Sequence, residues 1–178
     1  MALIPYDREA AVAYAHRWAY GRNPQFYDYE DLGGDCTNFA SQCLYAGAGV
    51  MNFTPVFGWY YIDPNDKAPA WSGVEFFWNF LTRSEETMGP FGRSCRLWEI
   101  KPGDFVQLWN TRDRFSHTPV VVQTGRIPTL RNTLVAAHSE DADYRPLSTY
   151  SFQKIRFLHI LGVRTGPDRE VGPLLQGQ

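Results

Sequence analysis

The hydrophobic period of this chain changes about half-way along, and that change restricts the folds open to it. In its first half, over about residues 7–20, 35–46 and 73–81, the apolar residues recur at helical spacing. Beyond the Pro102-Gly103 turn they gather in short β-branched runs. Helices first and strands last is an α+β pattern, and short local connections make the sheet mostly antiparallel. The 178 residues fit one domain over 1–165, with a frayed tail at 166–178. No internal repeat interrupts this order.

The first predicted helix runs from Asp7 to about Tyr20, with Ala11, Tyr14, Ala15 and Trp18 on one stripe. Asp7 is placed to cap it and Gly21 to end it. Arg22 to Gly34 reads as a loop. The run Gly33-Gly34-Asp35-Cys36-Thr37-Asn38-Phe39-Ala40-Ser41-Gln42-Cys43-Leu44-Tyr45-Ala46 predicts a flexible approach, an Asp35 N-cap and a second helix stopped by Gly47 and Gly49. Residues 50 to 70 have no clear period and read as an extended wall. Ser72 and Glu75 predict a capping box for a helix from about Gly73 to Leu81, with Trp71 and Phe76 as its staple. Strands are predicted over Asp104–Trp109, residues 117–124, Thr133–His138 and Ile155–Val163.

Charge excludes some functions. There are 17 Lys and Arg against 19 Asp and Glu, without a basic run, so the footprint of a nucleic-acid binder is missing. No stretch of about 18 apolar residues predicts a membrane span. The first residues lack the basic start and apolar run of a signal peptide, and cytoplasmic and cell-wall-associated settings both fit. Three cysteines argue against a disulfide framework and leave at least one thiol free in the monomer.

A thiol at a helix start is where chemistry enters. Cys36 would be the first helical residue, where unpaired amides and the positive helix end favour a thiolate. The competing reading is a small buried residue. Cys43, two turns deeper, reads as core filler, and Cys95 sits in a polar stretch with no helix end to activate it. A nucleophilic thiol needs a base within hydrogen-bond reach. His117 opens a Val-rich strand in Ser116-His117-Thr118-Pro119-Val120, where a rigid element can hold it at a cleft. His138 ends the next strand and is a candidate to orient His117, with Asp141 the rival. His16 and His159 read as structural. Cys36, His117, His138 and Asp141 are zinc ligands by type but lack the short spacing of a metal motif. No phosphate loop or nucleotide-binding glycine pattern occurs, so no cofactor or metal is expected. Trp59, Tyr60 and Trp109 are candidate cleft walls, though each also fits core packing.

The run from Gly33 to Leu44 resembles the bacterial putative amidase domain family, related to the papain-like cysteine hydrolases near the CHAP amidases and cell-wall endopeptidases. Tyr14-Ala15, Trp18-Ala19, Asn23-Pro24, Met51-Asn52, Gly58-Trp59-Tyr60, Pro102-Gly103-Asp104 and His138-Ser139 with Asp141 extend the likeness over about residues 6 to 160. The resemblance implies a papain-like core, with N-terminal helices on an antiparallel sheet. It implies an amide- or peptide-cleaving enzyme with Cys36 as nucleophile, His117 as base and His138 as the orienting polar residue. A thioester acyl-enzyme and an oxyanion held near the Cys36 amide follow from it. The expected partner is a peptide or amide substrate, with peptidoglycan peptides a candidate. Acyl transfer to an amine and a non-catalytic binding module on the same fold are the competing readings.

Overall fold

The computed structural model describes residues 1–110 and 112–166; of the expected tail only Gly166 falls among them. The chain opens with β1 (Ala2–Ile4), α1 (Arg8–Trp18) and α2 (Cys36–Ala48). The hairpin β2 (Tyr61–Asp63) and β3 (Asp66–Lys67), the single turn α3 (Pro69–Ser72) and α4 (Val74–Leu81) follow. The remainder is strand: β4 (Gly89–Cys95), β5 (Phe105–Trp109), β6 (Phe115–His117), β7 (Val120–Gln123), β8 (Leu134–Ala137), β9 (Ala142–Pro146) and β10 (Lys154–Thr165). The main sheet runs β1-β10-β5-β7-β8-β9, with β4 also on β10 and β6 on β5. Every pairing among the described residues is antiparallel. The fold is α+β, with N-terminal helices packed against a curled sheet.

The side-chain period of two explains how the sheet carries two cores. Phe105, Val120, Ala136 and Leu158 face the helices. Their neighbours Val106, Val121, Val135 and Phe157 face the other way, onto Ile100 and Leu147. Against the first face lies α2, in which every residue but Ala46 is buried. A helix buried all round must find partners for its polar side chains. Tyr14 Oη donates to Gln42 Oε1 at 2.6 Å. Ser41 Oγ donates to the Trp71 carbonyl at 2.7 Å and accepts from Trp59 Nε1 at 3.0 Å. Asn38 Oδ1 accepts from Trp71 Nε1 at 2.9 Å. Trp59 is therefore a core ring beneath α2, not a cleft wall.

Several local expectations change in the folded chain. Asp7 does cap α1, accepting from the Ala10 amide at 3.0 Å. Gly47, expected to stop α2, lies inside it. Its missing Cβ lets the helix approach Tyr6 and the Asp7 carbonyl, which an added methyl would meet at 2.4 and 2.6 Å. The left-handed cap is Gly49 alone, at φ 66°. The capping box at Ser72 and Glu75 does not form. Ser72 closes the preceding turn and its Oγ accepts from Lys67 Nζ at 2.7 Å, while Glu75 is drawn to Arg156 at 2.9 Å. Trp71 is fully buried and Phe76 is 58% exposed, so they make no staple. The strand expected over 117–124 divides into β6 and β7 because Pro119 has no amide to donate to a ladder. Residues 50–70, read as wall, contain the β2–β3 hairpin, and the polar stretch around Cys95 is β4.

Candidate functional site

The site is built where the start of α2 meets the β5–β6 hairpin. Gly33 and Gly34 enter with φ of 96° and 104°, which favours glycine at both. They bring the chain round so that Cys36 is the first residue of α2. Asp35 stands at the N-cap position but its side chain makes no cap, contrary to expectation. Its carboxylate turns inward instead. Oδ1 accepts from the Tyr29 amide and Asn38 Nδ2, both at 2.8 Å. The Asp35 side chain thus takes none of the first amides of α2, and Phe39 N–H bonds back to the Asp35 carbonyl at 2.9 Å.

His117 ends β6, which is held on β5 opposite Leu108. Cys36 and His117 line the same cavity, of about 610 Å³, with Asn110, Arg112, Arg145 and Tyr150 around them. The Cys36 Sγ lies 3.8 Å from the carbonyl oxygen of Ser116, the residue before His117, and 3.7 Å from Thr37 Oγ1. Thr37 Oγ1 is 3.0 Å from Thr118 Oγ1, which accepts from Gln107 Nε2 at 3.3 Å. This polar chain pins the first turn of α2 onto the strand that carries the histidine. Among the described residues no hydrogen bond joins Sγ to the imidazole; the thiol points at the Ser116 carbonyl.

Electrostatics set the resting protonation of the pair. Burial pushes the Cys36 thiol above its ordinary value, with the Thr37 hydroxyl opposing and the Asp35 charge adding to the rise. Burial first, and the Arg145 cation after it, lower His117 to about 4. The pair therefore rests as neutral thiol and neutral imidazole near neutral pH, not as the thiolate that the helix start alone suggests. A neutral imidazole is the form that accepts a proton.

The other expected site residues lie elsewhere. His138 does not orient His117. Its Nδ1 is 2.5 Å from Asp35 Oδ2 and its Nε2 is 2.7 Å from the Trp18 carbonyl, so both ring nitrogens are engaged beneath α2. Asp141 does not orient it either, because Arg22 takes both its oxygens at 2.9 and 3.1 Å. The ring that meets His117 is Tyr150, with centroids 5.6 Å apart. Tyr150 and Arg145, whose guanidinium stacks on it at 3.7 Å, had no motif to announce them. His16 pairs with Asp143 and stacks on Tyr144, and His159 pairs with Asp104, in structural settings. Cys43 is fully buried in the core, and Cys36, Cys43 and Cys95 are all free thiols. Trp109 packs on Phe115, away from the cavity lining. Among the described residues no three His, Cys, Asp or Glu side chains are gathered to hold a metal, and no helix is long and apolar enough to cross a membrane.

Fold and site together define an α+β protein with a cleft that presents a helix-borne cysteine and a strand-borne histidine. The family model described as "Putative amidase domain" matches residues 5–161, and the chain belongs to that family. The family's name carries a generic hydrolase activity, that of an amidase. The chain is also 32% identical over 148 residues to the uncharacterized protein YhbB of Bacillus subtilis (strain 168), a bacterial relative. That match covers 79% of this chain and 43% of YhbB, so the chain spans less than half of the relative's length. No solved structure matches the chain.

Proposed function

We propose that the protein is a cysteine-dependent amidase or peptidase of papain-like type, with Cys36 as nucleophile and His117 as general base and acid. The observation that carries this reading is that the two side chains line one cavity, with Sγ against the backbone next to His117. A substrate carbonyl would lie over the start of α2. His117 takes the thiol proton as Sγ forms a bond to the carbonyl carbon, and the oxyanion is held by the Cys36 amide and the positive helix end. The C–N bond then breaks, the imidazolium gives its proton to the leaving amine, and a thioester remains. Water, deprotonated by the same imidazole, releases the acid and the thiol. Reaction of that thioester with an amine in place of water would be acyl transfer at the same site.

Raised thiol and lowered imidazole mean that the proton must move during attack and not before it. That favours substrates whose binding brings Sγ and the ring together, as happens when catalytic hydrogen bonds tighten on complex formation. Peptide bonds of the cell wall are the substrate class we favour, on the resemblance of the Gly33–Leu44 run to the putative amidase domain family and of that family to cell-wall endopeptidases. The test is to incubate the protein with soluble peptidoglycan fragments and with peptide 4-nitroanilides. Cleavage that vanishes in both Cys36→Ser and His117→Gln supports the reading. Cleavage that survives Cys36→Ser refutes it. A filled, unreactive cleft that binds the fragments unchanged would instead mark a binding module.

A further inference from the structure

We infer that His138 positions Cys36 through Asp35, holding the Asp35 carboxylate under the start of α2 and balancing its charge beside the thiol. This rests on Cys36 being the working thiol, and it gives His138 a task other than orienting His117.

The argument is one of hydrogen-bond accounting. His138 and Asp35 are 1% and 0% exposed, so water cannot supply a missing partner. The partner of Nε2 is a backbone carbonyl, that of Trp18, which only accepts. Nε2 must therefore carry hydrogen. The partner of Nδ1 is Asp35 Oδ2, whose sister oxygen already takes two donors. With two N–H donors already on its sister oxygen the carboxyl is placed as an acceptor, and in the arrangement we infer Nδ1 donates to it as well. A ring that donates from both nitrogens is an imidazolium facing the carboxylate it would neutralise. Phe39 stacks on it with ring centroids 3.9 Å apart and the planes 13° from parallel, which suits a cation over an aromatic face.

From α1 only the Trp18 carbonyl bonds to the ring, and from α2 Asp35 and Phe39 meet it. Asp35 also faces Arg22, at 3.8 Å from Oδ2, but Arg22 is shared with Asp28, Glu30 and Asp141. Ser139, the next residue after His138, accepts from the Asp35 amide at 2.9 Å and donates to Glu30 at 3.1 Å. Residues 138 and 139 thus grip Asp35 by its side chain and its backbone. Cys36 is the next residue along, so whatever moves Asp35 moves Sγ. The Asp35 charge also disfavours the Cys36 thiolate, after burial. Removing the imidazolium would unmask it.

The experiment is iodoacetamide labelling of the full chain across pH, mapped by mass spectrometry, and it needs no substrate. His138→Gln should slow Cys36 labelling about tenfold at fixed pH, equivalent to moving its midpoint up by about one pH unit. Adding Asp35→Asn should restore most of the rate, because the unbalanced charge goes with it. Cys95 should label alike in all variants. An unchanged Cys36 profile in His138→Gln overturns the inference, and so does a double variant slower than the single. Should His138→Gln fail to fold, ¹⁵N spectra of the wild-type ring decide: hydrogen on both nitrogens supports the inference and hydrogen on one overturns it. Failure of the amidase reading would show separately, as an absence of turnover at Cys36.

Discussion

His117 should make the folded chain acid-sensitive in a way that can be isolated. The unfolded chain binds a proton at this residue near the ordinary histidine value of about 6.5. The folded chain binds it only near 4, because burial and Arg145 oppose the charge. Between those values the unfolded state holds the extra proton, so stability rises with pH. The contribution is fully present above about pH 6.5, falls as pH drops, and is gone below the folded value. A shift of that size at about 1.4 kcal/mol per pH unit amounts to about 3 kcal/mol. Near pH 4.5, where folded His117 is still mostly neutral, about 2.5 kcal/mol of it is already lost. The assay is urea unfolding of wild type and His117→Gln near pH 7.5 and pH 4.5. Carboxylates that titrate in both proteins cancel in the comparison. Wild type should lose about 2.5 kcal/mol more than the variant between the two pH values. Equal losses would refute the reasoning, since they would mean that His117 is no harder to protonate folded than unfolded.

Other outcomes follow from the same contacts. Arg145→Gln removes the cation that helps hold His117 neutral, so the acid limb of activity should move to higher pH by less than about one unit, read from a pH–rate profile. Asp104→Ala should destabilise by about 3–5 kcal/mol in urea unfolding. It leaves Arg8 and His159 without the buried carboxylate they meet at 2.7 Å each, and strips the acceptor of the Ile160 amide. Gly47→Ala should cost about 1–3 kcal/mol, because its Cβ would overlap the Tyr6 ring and the Asp7 carbonyl; an unchanged urea midpoint would show that α1 can retreat freely.

What could be read in the sequence was what short-range pattern dictates. The Asp7 cap, the helix bearing Cys36 and the β-branched runs of β5, β7, β8 and β10 follow from period and from local hydrogen bonding. What could not be read depended on distant partners. β4 has the sequence Gly-Pro-Phe-Gly-Arg-Ser-Cys, with no alternation, and forms because β10 is twelve residues long and offers it an edge. β1 is likewise made by the far end of β10. Ser72 and Glu75 carry a capping-box pattern, but Lys67 and Arg156 compete for their side chains. At the site, Cys36 and His117 were legible as residue types at suitable positions. The placement of His138 against Asp35 was not, because spacing along the chain cannot say that the ring turns under α2 toward Trp18. Arg145 and Tyr150 stand beside His117 only through the β8–β9 turn and the segment after it, which local pattern does not place.

The central claim is that Cys36 does nucleophilic work with His117 as its base, and acylation by 4-nitrophenyl acetate tests it most directly. Peptide mapping should find the acetyl group on Cys36, turned over in wild type, with both formation and loss slowed in His117→Gln. Acetyl found on Cys95 or on lysines with Cys36 untouched, or a Cys36 adduct indifferent to His117, would contradict the account.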